Sequence, residues 1–193
     1  MAEMGVGRTA SYRRVAACIE RGLLERLDLL RTEPRLLRAT RAGLRYAGLG
    51  LPVAVASPGS ADHWLRCAST ARLLGEEFGP DQILTERELV LEEQIEEHPI
   101  ASAKVGELLD GSPQLHRPDL AVLTDQEPIA VEVELTPKAP RRLRGVIRAW
   151  RRASHVAGVR YYCEPGSTRR AVERAVADMR AEEQVHILEV VPR

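Results

Sequence analysis

The most constraining stretch of the chain is residues 129–135, Ile-Ala-Val-Glu-Val-Glu-Leu, in which apolar side chains fall on alternate positions. A period of two is a strand pattern, placing Ile129, Val131, Val133 and Leu135 on one face and Ala130, Glu132 and Glu134 on the other. Residues 117–124 carry a second strand pattern around Leu120 and Val122, and the polar residues 125–128 supply a turn between the two. The expected unit is a hairpin whose second strand bears two carboxylates about 7 Å apart at the backbone. Folding the first strand back brings Asp119 opposite Glu132 or its immediate neighbour, a register open by one residue.

Three carboxylates on one patch of sheet repel one another and resist burial, so positive charge should compensate them. A hard divalent cation such as Mg2+, bound by one or two of these carboxylates with water and a phosphate, is one solution. Lys138 or a nearby arginine would then orient a water molecule or stabilise charge developing on phosphate oxygens. His116, close to Pro118-Asp119, would serve as acid or base, or simply support the start of the strand. The plainer alternative is an edge hairpin whose glutamates face water.

Beyond Lys138, Pro140 suits the first turn of a helix running to about residue 153. Leu143, Val146, Ile147 and Trp150 form its apolar stripe, while Arg141, Arg144, Arg148 and Arg151 lie on the other side as a phosphate-binding ridge. Residues 159–162 and 185–191 read as strands and residues 168–182 as an amphipathic helix. Strand, helix, strand, helix and strand after a hairpin predict an α/β fold, a mixed β-sheet with flanking helices.

The net charge is zero, yet residues 76–110 hold 11 acidic and 2 basic residues, while residues 138–174 hold 11 basic and 2 acidic ones. Residues 1–50 add 10 basic against 5 acidic. Two basic regions on either side of an acidic one suggest polyanion-binding surfaces; solvated helix faces in an arginine-rich composition are the alternative. An aromatic content of 4% argues against single-strand binding by base stacking. At 193 residues and 44% apolar content, the chain can build one sizeable domain or two small ones.

Cys18, Cys67 and Cys163 lie far apart, without a CxxC or a histidine spacing suited to zinc, and are expected as buried thiols. With no apolar run of membrane-spanning length and no signal-like N-terminus, the expectation is a reduced, cytoplasmic protein without a membrane partner. A glycine-rich phosphate loop, a nucleophile elbow and a metalloprotease helix are all missing, which leaves nucleotide hydrolysis and covalent acyl transfer without machinery.

Nearer the N-terminus, residues 11–21 read as a helix stopped by Gly22, residues 23–30 and 34–40 as extended segments, and residues 41–46 as a further helix. Residues 49–59 are a Gly/Pro-punctuated linker. Residues 61–78 predict a helix with Trp64, Leu65, Ala68, Ala71 and Leu74 on its apolar side. His63, near its start, reads as structural, with a site role as the alternative. Residues 86–97 are helix or loop, and residues 100–108 are expected to form the first strand of the sheet. The predicted organisation is an N-terminal segment (1–50), a linker (51–60) and an α/β domain (61–193).

Pro118-Asp119, then Glu132-Val133-Glu134, then a basic amphipathic helix resembles the core of the PD-(D/E)xK nuclease superfamily, in particular small plasmid and mobile-element proteins of the replication-relaxation type. The resemblance covers roughly the last half of the chain, with a looser match before it. It implies a restriction-endonuclease-like core that hydrolyses phosphodiesters of plasmid, mobile-element or foreign DNA. Asp119 and Glu132 would hold Mg2+ or Mn2+, Glu134 would act as a base or bind the metal through water, and Lys138 would stabilise charge. The Arg141, Arg144, Arg148 and Arg151 ridge would clamp phosphate, and a glutamate of the first core helix, Glu76 or Glu77, would complete the site.

The family motif ends in Glu-x-Lys, whereas Glu134 occupies the lysine position here, as in the Glu-x-Glu variants of some restriction endonucleases. The segments ERGLL and RATRAGL resemble the second half of a winged helix, which implies DNA contacts by Arg8, Arg13 and Arg14. Its missing upstream helices would come from a second copy or another chain. Two alternatives stand beside this reading. One is a non-catalytic DNA-binding accessory or regulatory protein that keeps the nuclease-like fold; the other is an interaction module whose acidic and basic faces pair between subunits.

Overall fold

The structure, a computed structural model, describes residues 8–29, 36–55 and 57–192, and the chain divides into two compact units, residues 1–62 and 63–193. In the first, α1 (Arg8–Glu20) stops before Gly22, whose φ of 68° disfavours any residue with a Cβ. Strands β1 (Leu24–Leu27) and β2 (Leu36–Ala39) pair antiparallel, with Glu25 opposite Arg38 and bound to it at 2.9 Å. Thr40 caps α2 (Arg41–Tyr46) by accepting the Gly43 N–H at 3.1 Å. That helix lies so close to the ribbon that a Cβ on Gly43 would sit 2.0 Å from the Leu23 carbonyl oxygen. Helix, ribbon and helix thus follow in the predicted order. Residues 30–35, which include the join between the two predicted extended segments, and the side chain of Arg8 lie outside the described residues.

The second unit begins within α3 (Pro58–Phe78). Its remaining elements are β3 (Ile83–Thr85), α4 (Glu86–Glu96), β4 (Ala103–Glu107), β5 (Pro113–His116), β6 (Leu120–Val122), β7 (Ile129–Glu134), α5 (Pro140–Arg152), β8 (Gly158–Cys163), α6 (Ser167–Met179) and β9 (Val185–Glu189). The main sheet runs β3-β6-β7-β8-β9, antiparallel as far as β7 and parallel beyond it. The hairpin register pairs Leu120 with Val131 and Val122 with Ile129. Continued by one residue, it faces Asp119 with Glu132, within the predicted range. This is the mixed sheet with flanking helices that the sequence predicts.

Each face of the sheet has its own core. On one, Ala130, Val159, Tyr161 and Cys163 pack under α5 and α6, with Leu143, Ile147, Trp150 and Val172 fully or almost fully buried. On the other, Leu120, Val131 and Val133 meet Cys67, Ala71, Leu74 and Phe78 of α3. Complete burial of one such leucine or isoleucine contributes about 2–3 kcal/mol. A buried hydrophobic stripe therefore fixes α5 and α3 on opposite faces of β7.

Two expectations are corrected. Residues 100–108 do not begin the main sheet: β4 pairs with β5 in a separate two-stranded ribbon, and the sheet edge is β3. Three residues are too few for β3 to show a period in sequence. On α3, Trp64 and Ala68 are exposed, because the stripe that meets the sheet is Cys67, Ala71, Leu74 and Phe78, rotated from the predicted one. The acidic residues 86–97 are largely helical as α4, started by a reciprocal Thr85–Glu88 capping box. Among the described residues, no helix is long and apolar enough to cross a membrane.

Candidate functional site

β7 lies between β6 and β8, on a sheet covered on both faces, so its two glutamates cannot be water-facing residues of an edge hairpin. Glu132 is 2% exposed and Glu134 is 5% exposed. Both project from the face on which Ala130 packs beneath α5. Each has a basic partner. The His116 Nε2 lies 2.6 Å from Glu132 Oε1, and the His116 ring is held edge-on to Trp150 at 5.7 Å between centroids. Glu134 accepts a hydrogen bond from Lys138, four residues on.

Burial pushes the Glu134 carboxyl above its ordinary value, with Lys138 opposing that shift and the charges of Glu132 and Asp119 adding to it. Burial alone would lower the Lys138 pKa, but the Glu132 and Glu134 carboxylates outweigh it and raise the value. Asp119, Glu132, Glu134 and Lys138, separate in the sequence by up to 19 positions, are thus close enough for their charges to act on one another.

Asp119 stands between two elements. Its Oδ2 accepts the Val133 N–H of β7 at 2.7 Å, and its Oδ1 lies 3.0 Å from His63 Nε2 on α3. The same nitrogen is 3.4 Å from Cys67 Sγ, one helical turn further along α3. The hydrogen bond to Asp119 raises the His63 pKa to about 10, with the contact to Cys67 adding and burial opposing. Burial pushes the Cys67 thiol upward.

The backbone of Glu86, the first residue of α4, donates to the Asp119 carbonyl at 3.0 Å. Partial desolvation and then the Asp119 charge lift the Glu86 carboxyl above its usual range. Glu76 and Glu77, nominated in sequence to complete the site, are engaged elsewhere: Glu76 with Arg72, and Glu77 with Arg160 through two bonds of 2.8 and 2.9 Å. Glu86 is the helix-borne glutamate beside Asp119. No sequence period marks it, because its position depends on a backbone bond across 33 residues.

His63, read from the sequence as structural with a site role as the alternative, was not paired there with Cys67, and the reading that no cysteine has a histidine spacing suited to zinc is corrected by their meeting on α3. Their spacing of four on a helix, which puts both side chains on one face, was the available signal. Cys67 and Cys18 are half-buried rather than buried, and Cys163 alone meets the expectation of a buried thiol.

The α5 arginines form no uniform ridge. Arg144 reaches Asp178 at 3.4 Å and Arg151 donates to the Met179 carbonyl at 2.8 Å, both on α6, while Arg141 and Arg148 are exposed. In the first unit, Arg13 and Arg14 are exposed on α1.

Chemically, Asp119, Glu132, Glu134 and Glu86 are oxygen donors of the kind that a hard divalent cation prefers and act on one another through charge, with Lys138 and His116 as proton and charge partners; among the described residues, the donor atoms that converge within 4.8 Å are those of His63, Cys67 and Asp119. No family model, curated protein or solved structure matches this chain.

Proposed function

We propose that the protein is a Mg2+- or Mn2+-dependent DNA endonuclease or nickase of the PD-(D/E)xK type, with a restriction-endonuclease-like core. The reading rests above all on the mutual charge coupling of Asp119, Glu132, Glu134 and Glu86. Both Glu134 and Glu86 titrate above the ordinary carboxylate range with neighbouring carboxylate charge among the causes. Carboxylates held together against their repulsion, next to a basic helix, favour a site designed around an added cation and a phosphate. Their carboxylate chemistry suits the ion: Asp119 and Glu132 would hold the metal, which would supply a Lewis acid and an activated water, while Glu134 would take a proton and Lys138 would stabilise charge. Arg141 and Arg148 would bind the flanking phosphates, and α1 with Arg8, Arg13 and Arg14 would add the DNA contacts of a partial winged helix.

A non-catalytic DNA-binding accessory role is the second reading. It is favoured by the internal pairing of Glu132 with His116, Glu134 with Lys138 and Asp119 with His63, which compensates much of the negative charge without any metal.

Cleavage of supercoiled and linear DNA with Mg2+ or Mn2+ tests the proposal, with Asp119→Asn and Glu132→Gln compared at equal DNA affinity. Metal-dependent nicking or cutting that drops about 100-fold or more in both variants supports the enzyme. Salt-sensitive DNA binding without cleavage in the wild type selects the accessory role, since phosphate contacts release counterions in proportion to their number.

A further inference from the structure

We propose that His63, Cys67 and Asp119 form a binding site for a borderline-soft divalent cation of the Zn2+ class, with its fourth position open to solvent. The three donor atoms all lie within 4.8 Å of one another. Two of the separations are already close to those that a tetrahedral ion imposes. Metal bonds of the usual lengths put nitrogen and oxygen ligands about 3.4 Å apart and nitrogen and sulfur ligands about 3.6 Å apart. The observed values are 3.0 Å from His63 Nε2 to Asp119 Oδ1 and 3.4 Å from His63 Nε2 to Cys67 Sγ.

The way these groups meet distinguishes a metal site from a nucleophile. In a Cys-His-Asp relay, the imidazole uses one nitrogen toward sulfur and the other toward the carboxylate, so that a proton can pass between them. Here Asp119 and Cys67 both address Nε2. One nitrogen cannot relay a proton between two partners that it faces simultaneously. Three different donors converging on one small volume is instead what a cation requires.

The scaffold supports that use. His63 and Cys67 share a face of α3 at i and i+4, the spacing by which helices present paired zinc ligands. Asp119 is oriented by the Val133 N–H at Oδ2, which fixes the carboxylate and leaves Oδ1 turned toward His63. All three residues are half-buried, so an ion has a route in and a water molecule a place to bind. A thiolate and an imidazole select zinc-like ions over Mg2+, which separates this site from the all-oxygen cluster although Asp119 belongs to both.

The test is a Co2+ titration of the metal-stripped full-length protein, read by absorbance without DNA, so that its result stands apart from any cleavage assay. The expected outcome is one Co2+ per chain, a thiolate-to-cobalt charge-transfer band with the strong visible bands of a tetrahedral ion, and their loss on adding Zn2+. Cys67→Ser should abolish the charge-transfer band and His63→Ala should weaken Zn2+ binding at least about 10-fold, with both variants retaining their far-ultraviolet circular dichroism. Cys18→Ser and Cys163→Ser should leave the spectrum unchanged. Absence of the bands at stoichiometric Co2+, persistence of the charge-transfer band in Cys67→Ser, or unchanged Zn2+ affinity in His63→Ala would overturn the assignment.

Discussion

Glu93 on α4 and the Glu132–Glu134 pair on β7 are all buried carboxylates, yet their surroundings differ in kind. Glu93 Oε1 accepts the backbone N–H groups of Ile100, Ala101 and Ser102 at 3.0, 3.3 and 3.1 Å. Its Oε2 accepts the Ser102 hydroxyl at 2.8 Å and lies 3.6 Å from Arg117 Nε. Local chain geometry saturates that carboxylate, which ties the end of α4 to the start of the β4–β5 ribbon. Glu132 and Glu134 each receive one basic side chain and face another carboxylate. A buried carboxylate saturated by backbone donors organises the fold, whereas one paired with a single basic side chain beside like charge keeps a perturbed electrostatic environment, the kind that marks a candidate site.

The largest expected effect follows from removing the saturated group. Glu93→Leu leaves three backbone donors without their acceptor and should cost about 3–5 kcal/mol in unfolding free energy by chemical denaturation. Glu134→Gln should fall between no change and a gain of about 1 kcal/mol, because the folded protein already disfavours the Glu134 charge and glutamine resembles its neutral form. Equal losses in the two variants would erase the contrast. A marked loss in Glu134→Gln alone would recast the β7 pair as structural.

The same contrast explains what the sequence made legible. Ile129, Val131 and Val133 alternate because one face meets a core, so β7 and its partner β6 could be read directly, and their register to within one residue. Leu143, Val146, Ile147 and Trp150 repeat at helical spacing because α5 packs on that sheet, and Pro140 marks its start. Asp119, Glu132, Glu134 and Lys138 follow from strand geometry with a short loop. What stayed hidden depends on distant chain segments meeting. Glu86 reaches Asp119 through a backbone bond, His63 reaches it from α3, and the strand β3 has only three residues. Glu93 was read merely as part of an acidic run, since its donors lie in a loop with no periodic signature.

The smallest effect belongs to the limiting case, a carboxylate with good hydrogen bonds and little burial. Glu77 binds Arg160 through bonds of 2.8 and 2.9 Å, and Arg160 also lies 5.1 Å from the centroid of Phe78. The Arg160 hydrogen bonds hold the Glu77 carboxyl below its ordinary value of 4.5. A carboxylate with a lowered folded pKa contributes stability that is present above 4.5 and is lost as pH falls through the folded value. Glu77 is 48% exposed, so water and salt screen the pair to a few tenths of a kcal/mol. Comparing unfolding of the wild type and Glu77→Gln should therefore show that small difference at neutral pH, shrinking as acid protonates Glu77 and again in molar salt. A difference as large as that of Glu93→Leu would mean that the number of hydrogen bonds, rather than the burial of the atoms that make them, ranks these carboxylates.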